Sequence, residues 1–403
     1  MATATLLAGL LPASAAIAGG PLIVANTGAP YVWSTAAAIP YRTDNGPLSA
    51  SVTEAQAQAR VLAMFNVWEN VTTSNIDYNR AGFISDTGAF TDGDVSTAVE
   101  FDAVEADCGT AAQSPIIYDV DATIFIDLGL DETAIIGFAG PCTISSGAPF
   151  QIGSGHAVMN GLFQDGQALP VADIPAAAYD AAFIHEFGHF SGLDHSQINV
   201  NCLGFCGADD LEGVPTMFPF LIDVSQGVLS DDDEAWISRL YPQTAGGTTF
   251  ANTHGTITGT VFFSDGLSHA QFVNVIARRV DAGANEDRRS AVSVSSGFRA
   301  LVFRGNPIND PTGAGLESAA AGDIGRFEIP VPTGSYIVEV EAVDPGFTGG
   351  SSIGGWPYDT RIGMPGTAPA PTAPIVVAAG ATVSGVNVTL IGTDPRYDQF
   401  EGP

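Results

Sequence analysis

The chain has 403 residues, room for two or three ordinary domains and far more than a disulfide-stapled miniprotein. Hydrophobic residues make up 45% and charged ones 14%, which supports buried cores and excludes a disordered chain. Acids outnumber bases 44 to 13, every base is arginine, and the formal net charge is −31. A surface that negative excludes nucleic acid as the main partner and makes anionic membranes poor ones. The 47 glycines, 25 prolines and 23 phenylalanines point to turns and strands rather than a helical bundle.

Residues 1–18 are uncharged, apolar in the middle, and end in Ala16-Ile17-Ala18 before Gly19. They read as an export signal without the usual cationic start. Pro12 and the many alanines argue against a membrane span there, and no later segment is long and apolar enough for one. Export makes Cys108, Cys142, Cys202 and Cys206 candidates for two disulfides. Three pairings are open to four cysteines, and nearness in sequence favours Cys202–Cys206 and Cys108–Cys142.

Residues 38–43 read as a short strand. Ser51-x-x-Glu54 then makes a capping box, and Val61, Phe65 and Trp68 follow at helical spacing, which predicts about four turns burying the Trp68 face. Strand-like runs come at 116–120, 122–126 and 156–159. A second helix is expected from about Asp173-Ile174-Pro175, with Asp173 as cap, to about Ser191. A third opens at Ser230, followed by Asp231, Asp232, Asp233 and Glu234 in the first turn, where the helix dipole favours them. That acidic run reads as a solvated helix start rather than a metal site. Residues 243–255 form a polar linker, and beyond it the helical period disappears. Ile257, Val261 and Phe263 alternate, as do Phe327, Ile329 and Val331, then Tyr336, Val338 and Val340, then Val386, Val388 and Leu390. This is the pattern of an antiparallel sandwich over 256–392, with long loops at 282–325 and 345–375 and a tail at 393–403. The first domain, 19–242, is then expected to fold alone.

The segment that carries chemistry runs from His185-Glu186-Phe187-Gly188-His189 to Gly192 and His195. On a helix, His185 and His189 project from one face and can reach one Zn²⁺ at about 2.0–2.1 Å. Glu186 can approach a water on that ion without being a ligand. Gly192 lets the helix stop and the chain turn, bringing His195 round as a third ligand. Three imidazoles leave a position for water, whose pKa zinc can lower to about 7. A bare His-Glu-x-x-His pattern occurs on ordinary helices, but the extended spacing makes coincidence a poor explanation.

At these residues the chain resembles the metzincin zinc metallopeptidases, and the matrixin-like branch in particular. Pro215-Thr216-Met217-Phe218-Pro219 is similar to the family's methionine turn, which implies Met217 as the Met-turn residue. Ser196 and the aromatic-proline pair after Met217 are also matrixin-like. The resemblance covers roughly 30–242 and takes 155–161 for the family's edge strand. It implies an α+β zincin-like catalytic domain and a secreted endopeptidase with one catalytic Zn²⁺ held by His185, His189 and His195. Glu186 is then the general base. The implied substrate is a protein or peptide lying along 156–160, with Phe218 to Phe220 walling the primed side. The family's inhibitory-cysteine propeptide and its second zinc motif have no counterpart. Ca²⁺ is a further cofactor that acidic loops at 86–94 or 119–121 could hold, although plain surface acids account for them too. Residues 255–261 and 327–340 resemble the carboxypeptidase-regulatory-like or transthyretin-like sandwich, which implies an accessory unit that binds an unknown surface or polymer. The alternative function is a non-catalytic exported adhesion or binding protein with a structural zinc site.

Overall fold

A computed structural model of the chain describes residues 19–25, 29–85, 92–108, 113–204, 206–267, 269–270, 273–283, 289–297, 301–304, 315–318, 325–341 and 368–392. The expected export signal, most of the 86–94 loop and the tail lie outside them. In chain order the elements are β1 Ile39–Thr43, α1 Glu54–Glu69, β2 Tyr78–Phe83, α2 Ala98–Cys108, β3 Pro115–Asp119, α3 Thr123–Asp127, β4 Gly137–Ile144 and β5 Ile152–Asn160. Then come α4 Ala176–Phe190, α5 Ala208–Glu212, α6 Asp231–Leu240 and α7 Phe250–Thr253. The strands of the C-terminal unit are β6 His254–Phe262, β7 Asn274–Arg279, β8 Ala291–Ser295, β9 Leu301–Arg304, β10 Gly315–Ser318, β11 Arg326–Pro332, β12 Gly334–Glu341, β13 Ile375–Val377, β14 Thr382–Val383 and β15 Val388–Thr389. The whole is α+β, a mixed sheet with helices followed by a β-rich unit.

The first sheet has the order β2-β1-β3-β5-β4, parallel except for β4, which runs antiparallel to β5. Alternation along the central strands feeds two cores. Ile116, Tyr118, Ala157 and Met159 face α1 and α4, while Ile117 and Val158 face α2 and α3. The α1 stripe of Ala57, Val61, Phe65 and Trp68 is buried, as its spacing predicts. Its cap lies two residues further on than expected: Gln56 Oε1 accepts from Thr53 N at 3.0 Å, whereas the Ser51 hydroxyl donates to Asp165 O.

Two strand expectations need correction. The stretch 122–126 is not a strand but the start of α3. Ala122 adopts a left-handed conformation, φ 60°, and the Asp121 and Asp119 carboxylates accept from Thr123 N and Phe125 N. The stretch 155–161 is not an edge either. Its strand, β5, is flanked on both sides, by β3 and β4, and β4 forms the edge. Glycine and Pro141 make β4 look like a loop in sequence, yet an edge strand tolerates a proline because one side of its backbone needs no ladder partner.

Two sheets build the sandwich of the C-terminal unit. The first has the order β11-β6-β14, with β15 also on β6, and the second β13-β12-β7-β8. The alternating residues Ile257, Val261, Phe327, Ile329, Val331, Tyr336, Val338 and Val340 are buried. Antiparallel pairs dominate, but β14 and β15 run parallel to β6, so the sandwich is not purely antiparallel as expected. The expected loop 282–325 contains β8, β9 and β10. Residues 243–255 carry α7, and Gln243 N donates to Thr73 O in the first unit. α6 packs on β8 and β11, so the two units share a junction. Cys202 and Cys206 form a disulfide, Cα atoms 4.8 Å apart. Cys142 is also oxidised. The Cys108 side chain, its expected partner, lies outside the described residues. Among those residues no helix is long and apolar enough to cross a membrane.

Candidate metal centre

Helix α4 is fixed from the core side. Phe187 stacks on Phe65 of α1 with ring centroids 3.8 Å apart, and Trp68 Nε1 donates to Ile184 O at 2.9 Å. The helix begins at Ala176 behind Pro175. Asp173 is not its cap as expected; that carboxylate accepts from Gly166 N instead. At the other end Gly192 takes φ +87°, Gly192 N donates to His189 O and Leu193 N to Gly188 O, both at 2.9 Å. This is a Schellman stop, and only glycine enters that conformation without strain. The reversal carries Leu193 O to 2.9 Å from His189 Nδ1 and swings His195 toward the helix.

The three expected ligands converge. His189 Nε2 lies 3.1 Å from His185 Nε2, and His195 Nε2 lies 3.0 Å from each. His185 Nδ1 donates to Thr216 O at 2.8 Å and His189 Nδ1 to Leu193 O. Both protons are thereby committed, and two bare Nε2 lone pairs face each other. Burial pushes His185 down to about 4 and holds it there despite the Thr216 bond. Burial and then the His185 charge push His189 down to about 3. Burial likewise pushes His195 down, reinforced by His189 and His185. All three are neutral at ordinary pH, the form a metal ion requires. A cation between the nitrogens removes the lone-pair conflict, and a tetrahedral ion bound at about 2.0–2.1 Å spaces such nitrogens by about 3.3 Å. The site therefore fits a metal ion, held by one nitrogen from each imidazole.

Glu186 is 6% exposed, and its Oε2 has no hydrogen-bond partner. Burial pushes its carboxyl up to about 8. A cation close by would pull it back toward the ionised form. Its stem lies against β4: a Cβ at Gly137 would come within 2.8 Å of Glu186 Cγ and 3.0 Å of Met159 sulfur. Gly137 thus makes room for the carboxylate between the helix and the edge strand.

Met217 sits under α4, where its sulfur fills the space a side chain at Gly188 would need. Its turn is tied to both ligand segments, since Thr216 O anchors His185 and Met217 O accepts from Ser196 N at 2.7 Å. The turn in turn hangs from α6. Asp233 accepts from Met217 N at 3.0 Å, from Thr216 N at 2.9 Å and from Ser230. The expectation of a solvated acidic run fails here: Asp232 and Asp233 are 2% and 1% exposed. Only the Ser230-x-x-Asp233 spacing hinted at a fixed carboxylate. Of the aromatics expected to wall a pocket, Phe218 is buried and Phe220 is exposed.

The acids at 119–121 are occupied in starting α3, and no group of three His, Cys, Asp or Glu ligands forms there among the described residues. His156 pairs with Glu105 at 2.6 Å beside Cys142, whose sulfur is oxidised and so offers no thiolate. No protein-family model matches the chain, and no curated protein matches it either.

Proposed function

We propose that the chain is a secreted zinc-dependent endopeptidase with a zincin-like catalytic domain of the metzincin, matrixin-like kind. The observation that carries this reading is the donor set: three Nε2 atoms 3.0–3.1 Å apart, with the unpartnered Glu186 Oε2 on the helix that carries two of them. A Zn²⁺ ion held by His185, His189 and His195 would supply Lewis acidity toward a peptide carbonyl and lower the pKa of a water. Glu186 Oε2 takes the proton of the attacking water and passes it to the leaving amine nitrogen. Thr216 O and Leu193 O keep two imidazoles in the tautomer that leaves Nε2 free. Substrate lies along β4 rather than β5, because of the two only β4 has an unpaired side in the sheet; an extended peptide there adds a strand through main-chain hydrogen bonds. The disulfide Cys202–Cys206 supports export to an oxidising compartment.

The test sets two variants of the full chain side by side on an unfolded protein substrate. Glu186→Gln should keep about one zinc per chain and lose about 10²–10⁴-fold in turnover. His189→Ala should lose metal and activity together. A Glu186→Gln protein as active as wild type, or a zinc-loaded wild type that cleaves nothing across a diverse peptide library, would end the peptidase reading. The second outcome, with zinc bound, would favour a structural zinc site in a binding protein.

A further inference from the structure

Two of the three histidines share a rigid helix, but His195 stands on an irregular segment that must be held from outside α4. Part of the hold is the Met217 carbonyl on Ser196 N. Gly19 N donates to His195 O at 2.6 Å and Asp194 N to Gly20 O at 2.9 Å, and a further hold comes from the C-terminal unit. β8 is the outer strand of its sheet, so at Ser293 the backbone N–H and C=O turn away from the ladder toward α6. Ser293 N donates to Asp232 Oδ1 at 2.7 Å, and Trp236 Nε1 donates to Ser293 O at 2.8 Å. The Ser293 hydroxyl lies 3.2 Å from the hydroxyl of Ser196, the residue after the third ligand. Asp232, Trp236, Ser293 and Ser196 are all buried. Two residues further along the same segment, Ile198 packs on Ile276 and Ala291 of β7 and β8. Consecutive acids of α6 thus divide the work: Asp233 holds the turn under the site, and Asp232 holds both the sandwich edge at Ser293 and the side chain of Ser196.

Resting on the zinc reading above, we infer that the β-sandwich is part of the metal centre, its edge strand fixing the His195 segment through Asp232, Trp236 and Ser293 as positioning residues. Without it the segment keeps its backbone bonds to Met217, Gly19 and Gly20 but loses the floor under Ser196 and Ile198. His195 Nδ1 has no hydrogen-bond partner of its own, so nothing at the ring replaces that floor. The consequence is a separation of roles along one chain. His185 and His189 form a two-nitrogen site on one helix of the first unit, and the third nitrogen is held to its full precision when both units are docked.

The experiment uses full-length protein loaded with zinc, and reads transfer of the metal to a chromophoric chelator. The visible absorption of the cobalt-substituted protein reports ligand geometry in parallel. Outer-shell changes typically alter metal affinity by about 10–100-fold, and these residues act at the lower end of that range. Asp232→Ala and Trp236→Phe should release zinc about 10-fold faster and shift the cobalt band. Asp232→Asn, which keeps an acceptor for Ser293 N, should restore most of the loss. Arg239→Ala cuts the 2.7 Å ion pair to Glu328 across the same junction, away from the His195 segment, and should match wild type. If Asp232→Ala does not fold, the conservative Trp236→Phe decides. Wild-type release and spectrum in folded Trp236→Phe overturns the inference while leaving the zinc site standing, and so does an equal effect of Arg239→Ala. A wild type that takes up no zinc on its three histidines overturns the site reading and this inference with it.

Discussion

Asp119 shows how a single buried carboxyl sets a pH window. Its side chain is fully buried, Oδ2 accepts from Phe125 N at 3.0 Å, and Oδ1 has no partner in the fold. Burial pushes its pKa up to about 6, with Asp121 adding to the rise and backbone N–H groups at the start of α3 opposing it. The sign follows from linkage. A carboxyl whose folded pKa exceeds its unfolded value of about 3.9 favours the native state at low pH, and that contribution is lost as pH rises through 6. Asp119→Asn keeps the oxygen that caps α3 and removes the ionisation. The variant should melt no higher than wild type at pH 4 and higher at pH 8, a change in relative stability of about 1–3 kcal/mol. Paired thermal melts at the two pH values check this; a difference that does not move with pH would mean Asp119 is not forced to ionise in the fold.

At the scale of an element, the site helix is bounded by what can fit beneath it. Gly188 lies one residue before His189, where alanine would raise helix propensity by about 1 kcal/mol. A Cβ there would overlap the Met217 sulfur and come within 2.9 Å of the Trp68 ring. Overpacking of that kind costs about 1–3 kcal/mol and displaces the turn that anchors His185, so crowding wins. Gly188→Ala should lower the melting temperature and weaken zinc retention. Met217→Ala should cost less in the Gly188→Ala background than in wild type, because the two changes share one volume. Equal cost in both backgrounds, measured as a double-mutant cycle, would show that the two side chains do not compete for that space. The same helix shows what a sequence can reveal. The spacing of His185, His189, Gly192 and His195 was enough to bring three nitrogens together, because a helix and a glycine stop are local geometry. The α1 stripe was legible for the same reason. Residues 122–126 were not, since a five-residue apolar run has too few turns to display a period. β4 was hidden by its glycines and Pro141, and with it the identity of the edge. The burial of Asp232 and Asp233 was out of reach altogether, because their partners are backbone groups 16 to 61 residues away.

For the whole molecule the governing term is charge. With 44 acids and 13 arginines, at most 13 acids can face a cation one to one, and the rest repel one another across the surface. Salt acts on both populations. It weakens ion pairs such as Arg239–Glu328 at 2.7 Å and Arg279–Asp281 at 2.8 Å, but part-exposed pairs of this kind contribute about 0–1 kcal/mol each. It also screens the unpaired acids, which are more numerous and interact over longer range. Between about 0.01 and about 0.3 M ionic strength the screening length falls from about 30 Å to about 6 Å, from most of a domain to one side chain. Relief of repulsion therefore exceeds the loss of pairs, and the melting temperature should rise by on the order of 5 °C over that interval. The rise should be steepest below about 0.1 M and level off above it. Sodium sulfate at equal ionic strength should give nearly the same curve over this range, because screening counts charge and not the identity of the anion. A melting temperature that stays flat or falls from about 0.01 to about 0.3 M sodium chloride would show that the acid surplus carries no net repulsion in the folded state. A rise seen with sulfate and not with chloride would assign it to exclusion of sulfate from the protein surface instead.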